Sequence, residues 1–376
     1  MSMPELPLLK FDNVHPVYTG SKALSPFHEC YANENTILRL AAGRFFAHYN
    51  GEDIEEAYWA LRNRAALFDV PERPVEISGP DVIEFLDQIF TRRSNQLKVG
   101  SGHYTLACTY KGGLFMDGIL FRLDEKKFWF VHPDGDLDTW FLAHSHNYDV
   151  SISDPQSRVL QLQGPISLAI INSATDGNVD QNMGYFKTGL YSIGGQAVLI
   201  SRTGWTGELG YEIYTLGRNT DYKRLWNDLT NSGRKYGMVF SSMQAMNIRR
   251  IEAGILDSGS DFDTSMAPDE AGLSRFIDRD KKCFIGYEAI KKRKQGNRIH
   301  GVVARNYIPR SGDLVHDQKN LLGYVTTGAY SPEFEAGIGY VRFDTAADWI
   351  GQDYFIGTLD SSKHPCKIVA LPFYDK

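Results

Sequence analysis

The chain is short of cysteine, of long apolar runs and of net charge, and each shortage excludes a class of protein. Its four cysteines, Cys30, Cys108, Cys283 and Cys366, stand far apart. No Cys-x-x-Cys pair exists, which argues against a structural zinc site and against a disulfide framework. No apolar run exceeds a few residues, too short to span a bilayer. Basic and acidic side chains number 40 and 46, a net charge of −6. A protein built to coat nucleic acid needs a basic face that this balance does not supply. Neither a Gly-x-Gly-x-x-Gly fingerprint nor a Gly-Lys-Ser/Thr phosphate loop occurs. Met1 to Lys10 carries Pro4, Glu5 and Pro7 without an apolar stretch, so no signal peptide is expected. These absences predict a cytoplasmic protein with no metal, no membrane and no nucleic acid among its partners.

Aromatic side chains are abundant: 6 Trp, 20 Tyr and 21 Phe, or 12% of the 376 residues. They supply core volume, and they also build cages for flat rings and cations. The length allows two or three domains. Ile54 to Leu67 reads as a helix from its apolar spacing, and Val75-Glu76-Ile77 as a strand beyond Pro71 and Pro74. A second helix presents Val82, Phe85, Leu86 and Ile89 on one face. A hairpin follows, with Tyr104–Tyr110 and Leu114–Leu123 joined at Lys111-Gly112-Gly113, then a strand at Phe128–Val131 and a helix at Asp138–His146. The order then recurs. Val159–Gln163 precedes Gly164-Pro165 as Val75–Ser78 precedes Gly79-Pro80, either through an internal repeat or through a common strand-to-helix turn. After the basic stretch Lys291–Asn297, read as a solvated linker, five short strands separated by Gly, Pro and Ser predict an all-β module. Among them are Gly301–Arg305 and Tyr354–Leu359.

Two local features point to chemistry. In Ser201-Arg202-Thr203-Gly204-Trp205-Thr206-Gly207-Glu208-Leu209-Gly210-Tyr211-Glu212, three glycines bracket Glu208 on a tight turn. Glycine allows positive φ and close backbone approach. A carboxylate there can accept from an amino group and a ring N–H of a heterocycle. The alternative is a Gly-rich hairpin with an exposed Glu. Asp117 interrupts the apolar strand Leu114-Phe115-Met116-Asp117-Gly118-Ile119-Leu120. It either satisfies backbone donors at a bend or stands beside a ligand.

Taken in order, these segments resemble the aminomethyltransferase family, the folate-dependent T-protein of glycine cleavage and its relatives. The resemblance is carried by Ala66-Leu67-Phe68-Asp69-Val70, by Gly112-Gly113-Leu114-Phe115-Met116-Asp117 and by Arg202 to Glu212. It continues through Arg250-Ile251-Glu252-Ala253-Gly254, Pro268–Leu273, Phe284-Ile285-Gly286 and the tail segments Pro309-Arg310-Ser311-Gly312 and Leu371-Pro372-Phe373. It implies an α+β fold, a three-lobed cloverleaf of two related α+β domains and a C-terminal all-β barrel around a central folate cavity. The implied domains are 1–56 plus 158–290 (folate-binding), 57–157, and 297–376 (barrel). Tetrahydrofolate is the implied cofactor, with Asp117 catalytic beside its N5 end. Glu208 would bind the pterin ring, Tyr104 would line the pocket and Arg250 would meet the glutamate tail, with Trp205, Gly204 and Gly207 completing the cofactor site.

Departures qualify the branch. Pro71-Glu72-Arg73-Pro74 and His132-Pro133-Asp134 replace residues usual in T-proteins. Glu72-Arg73, Ser201–Trp205 and Arg249–Glu252 look like the dimethylsulfoniopropionate demethylase branch, although Thr206-Gly207-Glu208 keeps the T-protein form. The implied activity is a tetrahydrofolate-dependent demethylase that moves a methyl group from a small sulfonium-type donor to N5. Three alternatives stay open. They are glycine-cleavage aminomethyl transfer with a lipoyl carrier protein as partner, O-demethylation of methoxylated aromatics, and a non-catalytic folate-binding iron–sulfur maintenance protein. The last is prompted by Lys282-Cys283-Phe284-Ile285-Gly286-Tyr287-Glu288.

Overall fold

A computed structural model describes residues 23–41, 43–132, 137–217, 219–278, 280–293, 296–358 and 362–374. The expectations for Met1–Lys10, Pro133-Asp134, Lys294-Gln295 and Leu359 lie outside these residues.

The fold is mixed α+β, built on two large sheets and a closed barrel. The first sheet has six strands in the order Thr188–Ile193, Gln196–Ser201, Gly210–Thr215, Val159–Gln163, Ala66–Val70, Val239–Phe240. The second has five, in the order Ser101–Cys108, Leu114–Asp124, Lys127–His132, Arg73–Ser78, Ser151–Ser153. The barrel closes through Ile299–Ala304, Ala336–Phe343, Leu321–Ser331, Leu314–His316, Asp353–Gly357 and Lys363–Val369. Closure leaves no free strand edge. A small three-stranded sheet lies before them in the chain.

The echo between Gly79-Pro80 and Gly164-Pro165 is a repeat of architecture. In each large sheet a strand leads through a helix into a hairpin, and a further strand returns antiparallel beside the first. The helices are Val82–Ile89 and Ser167–Ala174. Both glycines sit at positive φ, 139° and 123°. An added Cβ would come within 2.3 Å of the Asp149 carbonyl oxygen at Gly79, and within 2.6 Å of the Arg64 carbonyl oxygen at Gly164. The same turn, excluding the same side chain, starts each helix.

One expected element is shorter than its apolar spacing implied. The helix covers Ile54–Asn63, capped by Asp53, whose carboxylate accepts from the Glu55 and Glu56 amides. Arg64 leaves helical geometry, and Ala66–Val70 is a strand paired with Val159–Gln163 and with Val239–Phe240. The continuous apolar run Ala65–Phe68 fits a buried central strand as well as it fits a helix face.

Side-chain alternation decides what each sheet faces. Leu160, Leu162, Tyr211, Ile213, Val198 and Ile200 pack with the helices Ser167–Ala174 and Tyr222–Arg234 in one core. Val75, Ile77, Met116, Leu120 and Phe130 pack with Val82–Ile89 in another. The opposite faces meet each other. Phe68, Val159, Leu199 and Tyr214 of the first sheet join Phe121, Trp129 and Val131 of the second in one cluster. Two half-layers thus enclose a middle layer.

Candidate active site

The middle layer collects the polar side chains. On Leu114–Asp124, Asp117 shares parity with Ile119 and Phe121, so it faces that layer while Met116 and Leu120 face the helices. On Gly210–Thr215, Glu212 shares parity with Tyr214, and on Val159–Gln163 Gln161 shares parity with Val159. A carboxylate from each sheet therefore points into the space between them.

Asp117 is buried, with Oδ2 accepting from the Tyr104 hydroxyl at 2.7 Å. Its Oδ1 is buried without a hydrogen-bond partner among the described residues. Tyr104 lies on the neighbouring strand, opposite Ile119, and its ring meets Phe276 edge-on at 4.4 Å. Burial raises the Asp117 carboxyl to about 6, against the lowering effect of the Tyr104 hydrogen bond. Gly118 is forced beside it, because an added Cβ would lie 2.4 Å from the Val131 carbonyl oxygen. The Asp-Gly step thus lets the strand Lys127–His132 close against the acid.

Across the layer stands a second acidic group. The Gln161 amide nitrogen donates to Glu72 Oε1 at 2.8 Å and to Glu212 Oε1 at 3.0 Å. Two carboxylate acceptors fix which end of the amide carries the hydrogens. Glu212 Oε2 accepts from Thr203 at 2.6 Å and from the Tyr214 hydroxyl. Glu72 Oε2 and Gln161 Oε1 are buried and lack partners among the described residues. Burial, then the neighbouring Glu212, pushes the Glu72 carboxyl well above the carboxylate range, and burial raises Glu212 as well. Aromatic rings surround the group: Tyr214 meets Phe121 at 6.2 Å and Trp129 at 6.0 Å.

The glycine-rich turn packs closely against other side chains of the protein. A Cβ at Gly204 would lie 2.1 Å from Gln163 Oε1, and one at Gly210 would lie 2.3 Å from the same amide. The two glycines close on the Gln163 side chain, whose amide bonds the Thr203 carbonyl and the Thr206 hydroxyl. Gly207, at φ 71°, clears Ala253 and Tyr374. Close approach is required at these positions, and the partner is the protein itself.

Glu208 leaves this turn toward two arginines. Its Oε1 accepts from Arg62 at 2.7 Å and from Arg249 at 2.8 Å. Arg249, fully buried, also pairs with Glu252 and donates to the Tyr374 hydroxyl at 3.0 Å. Arg250, expected at a glutamate tail, is buried and braced. It donates to Asn247, the Ile255 carbonyl, Asp261 and Thr327, which takes four of its five N–H groups. Trp205 and Tyr340 hold their rings 5.2 and 5.5 Å from its guanidinium carbon. These contacts join the helix Met243–Glu252 to the barrel.

The structure therefore pairs Tyr104 with Asp117 and sets Glu208, Gly207 and Arg249 together. Gly204 packs against Gln163, and Trp205 packs in the inter-sheet cluster and over Arg250. Glu212, Tyr214 and Gln161 escaped the reading of the sequence, and Glu72 entered it only as a departure. The missed signal was a pair of polar residues, Gln161 and Glu212, at interior positions of strands otherwise rich in Leu, Ile and Tyr.

The described residues include no helix long and apolar enough to cross a membrane. The pattern of the GCVT N-terminal domain matches residues 31–281, and that of the glycine cleavage T-protein C-terminal barrel domain matches residues 297–375. An aminomethyltransferase of Thermoanaerobacter sp. (strain X514) is 30% identical over 355 residues, covering 88% of this chain and 96% of the relative. One from Caldanaerobacter subterraneus subsp. tengcongensis is 30% identical over 362 residues, covering 94% and 96%. The fold matches the crystal structure of glycine cleavage system aminomethyltransferase T from Bartonella henselae with a TM-score of 0.82 at 22% identity, covering 93% of this chain and 98% of that one. With both domain patterns in order along one chain and relatives matched over nearly their whole length, this protein belongs to the glycine cleavage T-protein family of aminomethyltransferases.

Proposed function

We propose that the chain is a tetrahydrofolate-dependent one-carbon transferase, and that it moves a methyl group from a small sulfonium-type donor to N5 of the folate. The observation that carries the reading is the middle layer. Three buried acceptors, Asp117 Oδ1, Glu72 Oε2 and Gln161 Oε1, lack donors among the described residues. A buried acceptor without a donor is costly, and a bound ligand that brings N–H groups relieves that cost. The reduced pterin carries such groups on a flat ring, and Tyr214, Phe121 and Trp129 supply aromatic walls to receive it. Trp205 packs in the same cluster as those rings, and Tyr104 stands beside Asp117.

Bound folate would supply N5 as the nucleophile. Asp117 would stand beside it as the carboxylate that stabilises positive charge there and holds the released proton. A carboxyl near 6 is ionised at neutral pH and still basic enough for that transfer. The Tyr104 hydroxyl holds Oδ2 and leaves Oδ1 for the reaction. A sulfonium leaves as a neutral thioether, so no general acid is needed on that side. The acidic, aromatic layer favours a cationic donor. The departures at Glu72-Arg73 and His132 favour this branch.

The names of the relatives favour a second reading, aminomethyl transfer from a lipoyl carrier protein. Product analysis separates the two. The purified chain is incubated with tetrahydrofolate and, in turn, a sulfonium, a methoxyarene and an aminomethyl-lipoyl carrier. 5-Methyl-tetrahydrofolate from the sulfonium is the expected product. Methylene-tetrahydrofolate from the carrier replaces that reading with the second, and turnover with no donor removes the enzymatic one.

A further inference from the structure

We propose that Arg44 and Arg158 form a binding site for an oxyanion, a phosphate or carboxylate group, where the small three-stranded sheet meets the six-stranded one. The site does not depend on the folate reading.

Arg44 opens the strand Arg44–Tyr49 of the small sheet, and Arg158 directly precedes the strand Val159–Gln163. Arg158 shares parity with Leu160 and Leu162, which belong to the helix-covered face of that sheet and not to the middle layer. Arg44 Nη1 donates to the Glu72 carbonyl at 2.7 Å, and its Nη2 donates to the Ser157 carbonyl at 2.9 Å. Arg158 Nη1 donates to the same Ser157 oxygen at 3.1 Å. Two guanidinium groups therefore converge on one oxygen. Their donating nitrogens lie within about 6 Å of each other, a separation at which like charges repel. Capping of a carbonyl explains one arginine at this place and not two.

Neither cation has a carboxylate bonded to it among the described residues. Arg44 is only 6% exposed, and buried cations are ordinarily paired. The acids that act on Arg44 through space are held elsewhere. Asp69 Oδ2 accepts from the Tyr31 hydroxyl at 2.9 Å, and Asp154 Oδ1 accepts from the Gln156 amide at 2.7 Å. Arg73, the third cation nearby, is paired with Asp138. Arg158 Nε is buried and has no acceptor among the described residues. A free N–H beside two converging guanidinium groups calls for an acceptor that carries negative charge on at least two oxygens. Carboxylates and phosphates have both. Burial, then the Arg158 charge, pushes the Arg44 guanidinium down to about 9, the direction expected of a cation set beside a second cation.

Titration calorimetry of the purified chain at pH 7 tests the site. The probes are inorganic phosphate and acetate, with ionic strength held constant by chloride. Saturable one-to-one binding of an oxyanion is expected. Arg158→Gln is expected to weaken it by at least about 10-fold, the size of a charge-assisted contact. Binding of phosphate alone assigns a phosphate group, and binding of acetate, with or without phosphate, assigns a carboxylate. Wild-type protein that saturates with neither probe overturns the proposal, and so does Arg158→Gln that binds as the wild type does. If Arg158→Gln does not fold, phenylglyoxal modification of the wild-type protein decides. Phosphate or acetate that protects Arg158 but not the exposed Arg224 supports the site, and protection of both alike, or of neither, overturns it.

Discussion

Two polar networks among the described residues differ, one braced and one left open. The braced network runs from Arg62 through Glu208 and Arg249 to Glu252, where Tyr58 and Ser331 also donate. Each carboxylate in it faces a cation, and each cation faces a carboxylate. The open side holds Asp117 on one sheet and the linked group Glu72, Gln161 and Glu212 by the other. Three acids and an amide share few donors there, and three acceptors have none among the described residues. Burial alone does not separate the two, because Arg249 and Glu252 of the first are as buried as the acids of the second, while Arg62 and Glu208 are half-buried. Charge pairing does. In the braced network carboxylates meet arginines, although Arg62 Nε and Arg249 Nε have no partner among the described residues. In the open one acids and an amide share hydrogen bonds with no described cation bonded to their side chains.

The largest expected effect breaks the braced side. Arg249→Met leaves Glu252 buried without its cation. Urea unfolding should show a loss of about 3–5 kcal/mol, the usual consequence of removing one partner from a buried ion pair. A loss below about 1 kcal/mol would show that the network is not a brace.

On the open side the sign reverses. Asp117→Asn should lower kcat by about 10²-fold, near 3 kcal/mol of transition-state stabilisation. The same change should stabilise the fold at pH 7. The folded Asp117 carboxyl is raised to about 6 from an ordinary 3.8, so the folded chain holds this proton more tightly than the unfolded one. That contribution is fully present below about pH 4 and is lost as pH rises to about 6. At neutral pH the wild type bears the cost of a buried charge that Asn avoids, on the order of 1–3 kcal/mol. Denaturation of both proteins from pH 4 to 7 checks it; parallel curves would refute the burial argument. The kcat of the wild type should fall as pH drops through about 6.

Gly204→Ala tests the turn. Its Cβ would meet the Gln163 amide, so a loss of about 1–3 kcal/mol in stability is expected from overpacking. Gly204→Ala combined with Gln163→Ala should recover part of that loss, because the second change empties the space.

The smallest effect sharpens the comparison. Glu208→Gln should cost about 1–2 kcal/mol of stability, since Arg62 and Arg249 keep a neutral acceptor. The tetrahydrofolate Kd should change by less than about threefold, in the range of a residue outside the pterin contact. A tenfold rise would return Glu208 to the ligand.

Much of this was legible in the chain. The repeat could be read because Gly79-Pro80 and Gly164-Pro165 mark the same strand-to-helix turn. The barrel could be read because short strands recur between turn residues. Asp117 stood out as an acid inside an apolar strand. The end of the first helix could not be read, because Ala65 to Phe68 is apolar on every side and fits a helix or a central strand. Glu208 and Arg250 drew attention as charges in matching motifs, although their partners, Arg62, Arg249, Asp261 and Thr327, come from distant parts of the chain.

Local pattern by itself determined the strands, the turns and the glycines, because period, φ and steric exclusion act over a few residues. It also determined that Asp117 and Glu212 share parity with buried aromatics on their own strands. Only the tertiary structure decided which polar groups are satisfied. Glu72 and Gln161 are 89 residues apart, yet one amide joins them. Charge pairing depends on partners that only the folded chain brings within 3 Å, and the arginines beside Glu208 and Glu252 separate the brace from the acidic group around Gln161.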